Sequence, residues 1–263
     1  NGQPPSNSAT NIQARVPYPD LNRFSIMAVT EGVIDYDALQ LTGRLNRGGL
    51  SVVAHYTFAS AFGDGGGSFG RPDEDPEAFT IQTNNAADPR GEYGRIARKH
   101  TLRMFYVYDL PFYRSQQGTL GRVLGGWQVS GNFSWLSGDP FDVYLGVDAN
   151  FDATTSQPRD RPDLVGDITY TGCSRDDQMA QFFDKTAFST PTITAATLMG
   201  NLPRNSLIGP SRWFADMALV KNVAIKGDFR IQLRLEAYNV FNHNTLNQPN
   251  GQMNSADFGK ILT

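Results

Sequence analysis

The chain is organised by a two-residue alternation. In GGWQVSGNFSWLSG (125–138), Trp127, Val129, Gly131, Phe133 and Trp135 fall on one side of an extended strand. Gln128, Ser130, Asn132 and Ser134 fall on the other, because successive strand side chains point to opposite faces. The period recurs in YDALQLTGRL (36–45), where Leu39, Leu41, Gly43 and Leu45 alternate with Gln40, Thr42 and Arg44. LSVVAHYTFA (50–59) sets Leu50, Val52, Ala54, Tyr56 and Phe58 against Ser51, His55 and Thr57, and NRGG (46–49) predicts a tight hairpin between these two segments. TLRMFYVYDL (101–110) sets Leu102, Met104, Tyr106 and Tyr108 against Arg103 and Asp109, with Phe105 and Val107 blurring the polar side. FRIQLRLEAYNVF (229–241) is the clearest, with Phe229, Ile231, Leu233, Leu235 and Ala237 opposite Arg230, Gln232, Arg234 and Glu236.

Large apolar groups on one face and polar groups on the other suit either a soluble sandwich or a membrane barrel with a wet lumen. Length separates them. Strands of globular proteins usually run about 5–6 residues, whereas a tilted strand needs about 9–11 to cross a bilayer. The segments here are of the longer kind. Aromatics gather toward segment ends, at Trp127, Trp135, Tyr56, Phe58, Tyr238 and Phe241, as interfacial girdles do. The connections alternate too: four residues after 36–45, a long link over 62–96, a moderate one ending at Gly126, and a long one reaching residue 212 after a strand read over 127–145. A short AIKGD (224–228) then follows the strand at 213–223. Outer-membrane barrels have short turns at one end and long loops at the other. The expected fold is therefore all-β, an antiparallel transmembrane β-barrel present in part, with about seven or eight strands. An open sheet would leave unpaired edges in hydrocarbon, so further strands are expected to complete it.

Composition narrows the classes. The 263 residues are 40% hydrophobic and 11% aromatic, with 26 glycines, a mixture that strands and turns consume. No run approaches the roughly 18 apolar residues of a membrane helix. A net charge of −3 and a pI near 5.6 give nucleic acid no basic footprint. The single Cys173 excludes an internal disulfide. Residues 1–20 have no initiator Met, basic n-region or apolar h-region. The chain stops in DFGKILT, which reads as a strand opening. Both ends are expected to continue in a longer polypeptide.

Several stretches resemble the TonB-dependent outer-membrane receptors, in the subgroup with an N-terminal carboxypeptidase-regulatory-like domain. They are YDALQLTGRLNRGGLSVVAHYTFASAFGD (36–64), GGWQVSGNFSWLSGDPFDV (125–143), FFDKTAFSTP (182–191), GNLPRNSLIGPSRWFADMALVKNVAI (200–225) and LRLEAYNVFNHNTLNQPN (233–250), in the family's order. The resemblance implies that residues 1–263 are the C-terminal portion of a plugged barrel of about 22 strands in the bacterial outer membrane. The plug and N-terminal domains lie outside it. Implied partners are outer-membrane lipid, the rest of the barrel and its plug, the TonB complex through the N-terminal region, and an extracellular ligand taken up with inner-membrane energy.

The chemistry is sparse. DANFDATTSQPRDRPD (148–163) places Asp148, Asn150 and Asp152 at positions 1, 3 and 5 of an oxygen-rich loop, with Asp160 further on. Ala153 replaces the glycine of an EF-hand and Arg159 its terminal Glu, so that motif is excluded. Either a single Ca2+ site or loop turns built by Asp and Asn fit the stretch. The glycine run at 62–77 leads into no phosphate-loop Lys, and its Asp73, Glu74, Asp75 and Glu77 read as solvated loop charge. His55, His100 and His243 are scattered, and no serine has a nucleophile-elbow context. An enzyme is not expected, nor an organic cofactor.

The lumen-facing set is Arg44, Arg103, Arg230, Arg234 and Glu236; the lipid-facing set is Trp127, Phe133, Trp135, Leu233 and Leu235. Phe182, Phe183 and Phe188 either cover a ligand or pack the long loop on itself. Two rival readings stand beside the receptor. One is a barrel-derived structural or surface-assembly subunit. The other is a secreted carbohydrate-binding β-sandwich, in which Trp127, Phe133 and Trp135 lie against another sheet.

Overall fold

The computed structural model describes residues 33–63, 94–149, 160–172, 174–194, 199–226 and 229–262. In chain order its strands are β1 (Ile34–Arg47), β2 (Leu50–Gly63), β3 (Gly94–Arg95), β4 (His100–Asp109), β5 (Trp127–Leu136), β6 (Pro140–Phe141), β7 (Asp163–Leu164), β8 (Phe188–Ser189), β9 (Leu207–Ile208), β10 (Arg212–Lys226) and β11 (Phe229–Ala237). Among the described residues two short α-helices intervene, α1 (Gly118–Leu124) and α2 (Arg175–Ala180). Six of the strands are long, and each pairs antiparallel with the next long strand, in the order β1-β2-β4-β5-β10-β11. The result is a meander without crossovers. The remaining strands are two-residue pairings, which is why the described residues hold fewer long strands than the alternation suggests.

Boundaries differ where turn chemistry overrides the period. The alternation continues past Leu136, but Pro140 has no N–H for a ladder. Asp139 turns aside to bind Arg98 at 2.6 Å and Arg212. β11 ends at Ala237 because Asn239 and Asn242 take φ of +48°, a region Asn tolerates and strands do not use. The hairpin between β1 and β2 is as the sequence predicts. Gly48 and Gly49 have φ of +61° and +91°, the pair of positive values that a two-residue turn matched to strand twist requires.

Register makes the two faces continuous across strands. Arg47, Leu50, Tyr108, Val129, Leu219 and Leu235 form one row, and Leu41, Tyr56, Leu102, Trp135 and Trp213 another. On the opposite face Thr42, His55, Arg103, Ser134 and Phe214 are in line. So are Asn46, Ser51, Val107, Ser130, Ala218 and Glu236. A one-residue slip in any strand would exchange its faces. The paired ladders of the long strands keep one register throughout except for a shift between Ala224 and Lys226 at the end of β10.

The sandwich reading finds no support among the described residues. It needs a second sheet on the Trp127–Phe133–Trp135 face. The other sheets among the described residues are the two-residue pairs β6–β9 and β7–β8. Leu233 and Leu235 remain 62% and 68% exposed.

The connected core lies elsewhere, at the end of the sheet carrying the long connections. Val143, Phe182, Phe183, Ala187, Phe188, Leu202, Leu207, Phe258 and Ile261 are buried together there. They come from the β5–β10 connection and from the segment after β11. The two are laced by Phe182 N–H to Gly259 O at 2.7 Å and Ile261 N–H to Met179 O at 3.1 Å. Residues 257–262 are therefore not a strand opening: Phe258 and Ile261 are core residues of this loop unit, and the N–H groups of Phe258, Gly259, Lys260 and Ile261 are spent on loop partners.

Candidate functional site

The polar face of the sheet carries Arg44, Arg103, Arg230, Arg234 and Glu236 together, as the alternation predicts. Arg234 Nε lies 2.6 Å from Glu236 Oε1, and Tyr238 Oη donates to Glu236 Oε2 at 3.0 Å. Asp216 accepts from Asn132 Nδ2 at 3.2 Å and from the Asn239 N–H at 2.8 Å. These groups border a shallow groove of about 280 Å³ whose lining includes Phe105, Asn132, Asp216, Arg234, Glu236 and Tyr238. An exposed ion pair of this kind contributes at most about 1 kcal/mol. Arg234→Gln is accordingly expected to leave wall stability within that margin, checked by the urea midpoint of folding in lipid vesicles.

The opposite face carries Trp127, Phe133, Trp135, Leu233 and Leu235. Near the long-connection end an aromatic belt closes around His100. Its Nδ1 is 2.8 Å from Tyr56 Oη, with Phe58 and Trp135 centroids at 5.2 and 6.1 Å. Trp213 stacks on His243 at 3.9 Å and meets Phe133 at 6.1 Å. At the short-connection end Trp127 sits opposite Lys221. Amphipathic rings at both ends of an apolar band are the pattern of an interfacial belt.

The loop unit decides the role of its phenylalanines. Phe183 is fully buried, edge-on to Phe188 at 5.6 Å and to Phe258 at 5.3 Å. Phe182, Phe183 and Phe188 thus pack the loop on itself.

Of the acidic stretch, Asn150 and Asp152 lie outside the described residues, as do Cys173 and the cluster at Asp73–Glu77. Asp160 is buried and accepts the Ala149 N–H at 2.6 Å, tying the two sides of that stretch. Among the described residues no three His, Cys, Asp or Glu side chains gather as a metal site.

One exposed group in this unit has a readable titration. The Thr186 N–H and hydroxyl both donate to Asp184 Oδ1 at 2.8 Å, which holds its carboxyl below the ordinary value. A depressed carboxylate contributes stability above its unfolded pKa and loses it as pH falls through the folded one. The turn at Lys185–Ala187 is therefore expected to loosen below about pH 4. Asp184→Asn is expected to remove that acid dependence, read as protease sensitivity against pH.

Two features escape the strand alternation. Asp216 sits mid-strand in WFADMALV, and only the register shows it beside Asn132. The other is α1, whose Leu120, Val123 and Leu124 follow helical rather than strand spacing.

A family model described as outer membrane beta barrel domain matches the chain over residues 1–263. No curated protein matches it, and no solved structure does.

Proposed function

This chain belongs to the outer membrane beta barrel domain family, and from that premise we propose that it is barrel wall of a TonB-energised ligand receptor. It resides in the bacterial outer membrane. In this reading the Phe133–Leu233 face meets lipid and the Arg103–Arg234 face lines a wet lumen. The sheet edges β1 and β11 pair with the remaining strands of the barrel, since an open edge is not viable in hydrocarbon.

The observation that carries the receptor reading is the loop unit. Long loops of bacterial barrels face outward. Here they do not merely hang there; they build a phenylalanine core of their own. A rigid outer surface is what ligand capture needs, because side chains held by packing lose less freedom on binding. Below it, the Arg234–Glu236–Tyr238 groove provides polar partners on the inner wall for a plug or for a passing ligand. The ligand enters from outside, no covalent chemistry is involved, and the TonB complex supplies the energy through the N-terminal region.

The test is uptake by cells carrying the parent protein, with labelled siderophore, oligosaccharide, peptide and vitamin panels. Accumulation of one class that stops when the inner-membrane energising complex is inactivated supports the proposal. Accumulation that persists unchanged marks a passive pore. No accumulation of any class favours the structural-subunit reading. A binding assay with the accumulated ligand class, run with and without a calcium chelator, reads the Asp148–Asp160 stretch. Loss restored by Ca2+ marks a site, and unchanged binding marks turn chemistry.

A further inference from the structure

We propose that α1, in the connection between β4 and β5, is an interfacial anchor that seats the wall in the phospholipid headgroup layer at its short-connection rim. The proposal rests on the reading of the Phe133 face as lipid-facing. Within α1, Leu120, Val123 and Leu124 stand at i, i+3 and i+4 and so form one stripe. They are 60%, 59% and 43% exposed, whereas Gly121, turned inward, lies against Gln116. Phe112 and Tyr113, just before the helix, are exposed as well. A turn bathed only by water has no reason to present so many large apolar groups side by side.

Which side of the sheet the helix occupies is fixed by two side chains. Trp127 Nε1 donates to Val123 O at 3.0 Å. Lys221 Nζ donates to the same carbonyl at 3.0 Å and also to Gly125 O. Trp127 and Lys221 are cross-strand partners in the same set of positions as Phe133, Trp135 and Leu235, and the ammonium lies 5.1 Å from the Trp127 ring centroid. The C-terminus of α1 is therefore held on the apolar side of the wall, at the level where the β5 ladder begins. A third tie, Gln116 Nε2 to Asn222 O at 3.0 Å, carries the connection across β5 onto β10.

This geometry explains an otherwise costly lysine. Lys221 projects from a face that is apolar around it and is nearly buried. A charge there is tolerated because the stem reaches the rim and the ammonium meets helix C-terminal carbonyls, the negative end of the helix dipole. Trp beside Lys at the edge of an apolar band is the arrangement of a membrane–water boundary. A short helix hung there with an exposed leucine–valine stripe, and with Arg122 exposed beside it, matches a lipid headgroup layer. There apolar groups sink about 5–10 Å while cations stay at the phosphates. The occupant is thus the phospholipid of the periplasmic leaflet, continuous with the lipid already against the strands.

The test uses the full parent protein in a Cys173→Ser background, with single cysteines replacing Leu120, Leu124, Ser115 or Phe133. Each is labelled with a small fluorophore and reconstituted in phosphatidylcholine–phosphatidylglycerol vesicles. Quenching is read from lipids brominated near the headgroup, from lipids brominated deep in the chain, and from aqueous iodide. The expected result is headgroup-level quenching at positions 120 and 124 with loss of the iodide quenching seen at 115. Position 133 is expected to respond to the deep quencher. Iodide quenching at 120 and 124 equal to that at 115, with 133 still quenched by lipid, overturns the anchor and leaves the wall reading intact. Shielding of 120 and 124 from every quencher also overturns it, by placing protein there. Absence of lipid quenching at 133 is the separate failure of the wall reading.

Discussion

Phe183→Ala is expected to collapse the loop unit while the wall stays folded. The side chain is fully buried and is the hub of an aromatic cluster, with Phe188 at 5.6 Å, Phe258 at 5.3 Å and Phe141 at 6.1 Å. Truncating a buried Phe costs about 3–5 kcal/mol through lost transfer energy and the cavity left behind. Each edge-on ring pair adds about 0.5–1.5 kcal/mol beyond area. The β6–β9 and β7–β8 pairings, two residues each, are too small to hold the unit without that core. The wall shares neither these residues nor their hydrogen bonds. Protease added outside intact cells is expected to cut the variant within 160–211 and spare the native protein. The barrel's heat-modifiable gel mobility is expected to persist, and captured ligand to be lost. Unchanged protease resistance would show that the loop unit does not depend on this core.

Leu233→Arg is expected to weaken the wall where Gln232→Arg does not. Leu233 lies at the middle of β11 (Phe229–Ala237), on the apolar face opposite Lys221. The register across β10 and β5 places it among the residues proposed to meet lipid. An arginine facing lipid costs about 2–4 kcal/mol at the bilayer midplane of a barrel and about 0–1 kcal/mol near the interfaces. Leu233, in the row of Lys221 and Trp127 at the short-connection rim, belongs near the lower value, about 1 kcal/mol. Gln232→Arg, one residue away, turns to the polar face beside Arg230 and Arg234 and escapes that cost. Folding into vesicles along a urea gradient is expected to separate the two variants by that margin. Equal midpoints would mean that the two faces of β11 meet the same solvent.

The wall was legible because its physics is local. Alternation in LRLEA and WQVSGNFSW places each side chain on a face without knowledge of any other strand. Register then had to follow the faces, as it does from Leu41 through Trp213. The two-glycine hairpin was legible for the same reason. What the alternation could not show is where a strand stops for a tertiary cause. Asp139 leaves the ladder to meet Arg98 and Arg212, and those partners are distant in sequence. The loop core was illegible because its residues come from separate stretches of 141–207 and from 258–261, with no period among them. Phe258 and Ile261 looked like a strand because two apolar residues in a short tail fit any pattern. Alternation also groups the polar side chains on one face, but the Asp216–Asn132 contact within it follows from register rather than from composition. The α1 stripe was written in the sequence at helical spacing, yet seven residues between two strands read as turn.

The central claim is that one face of this sheet meets lipid and the other meets water. The most direct measurement places single cysteines at Phe133 and at Ser134 of the parent protein, with Cys173→Ser, in outer-membrane vesicles. Each is labelled with a lipid-phase probe and with a small water-soluble one. The two positions are neighbours in β5 and point to opposite faces, so depth in the membrane is nearly the same and only the face differs. Labelling of position 133 from lipid alone and of position 134 from water alone is the expected result. Shielding of position 133 from both probes, or labelling of both positions from water, would contradict it.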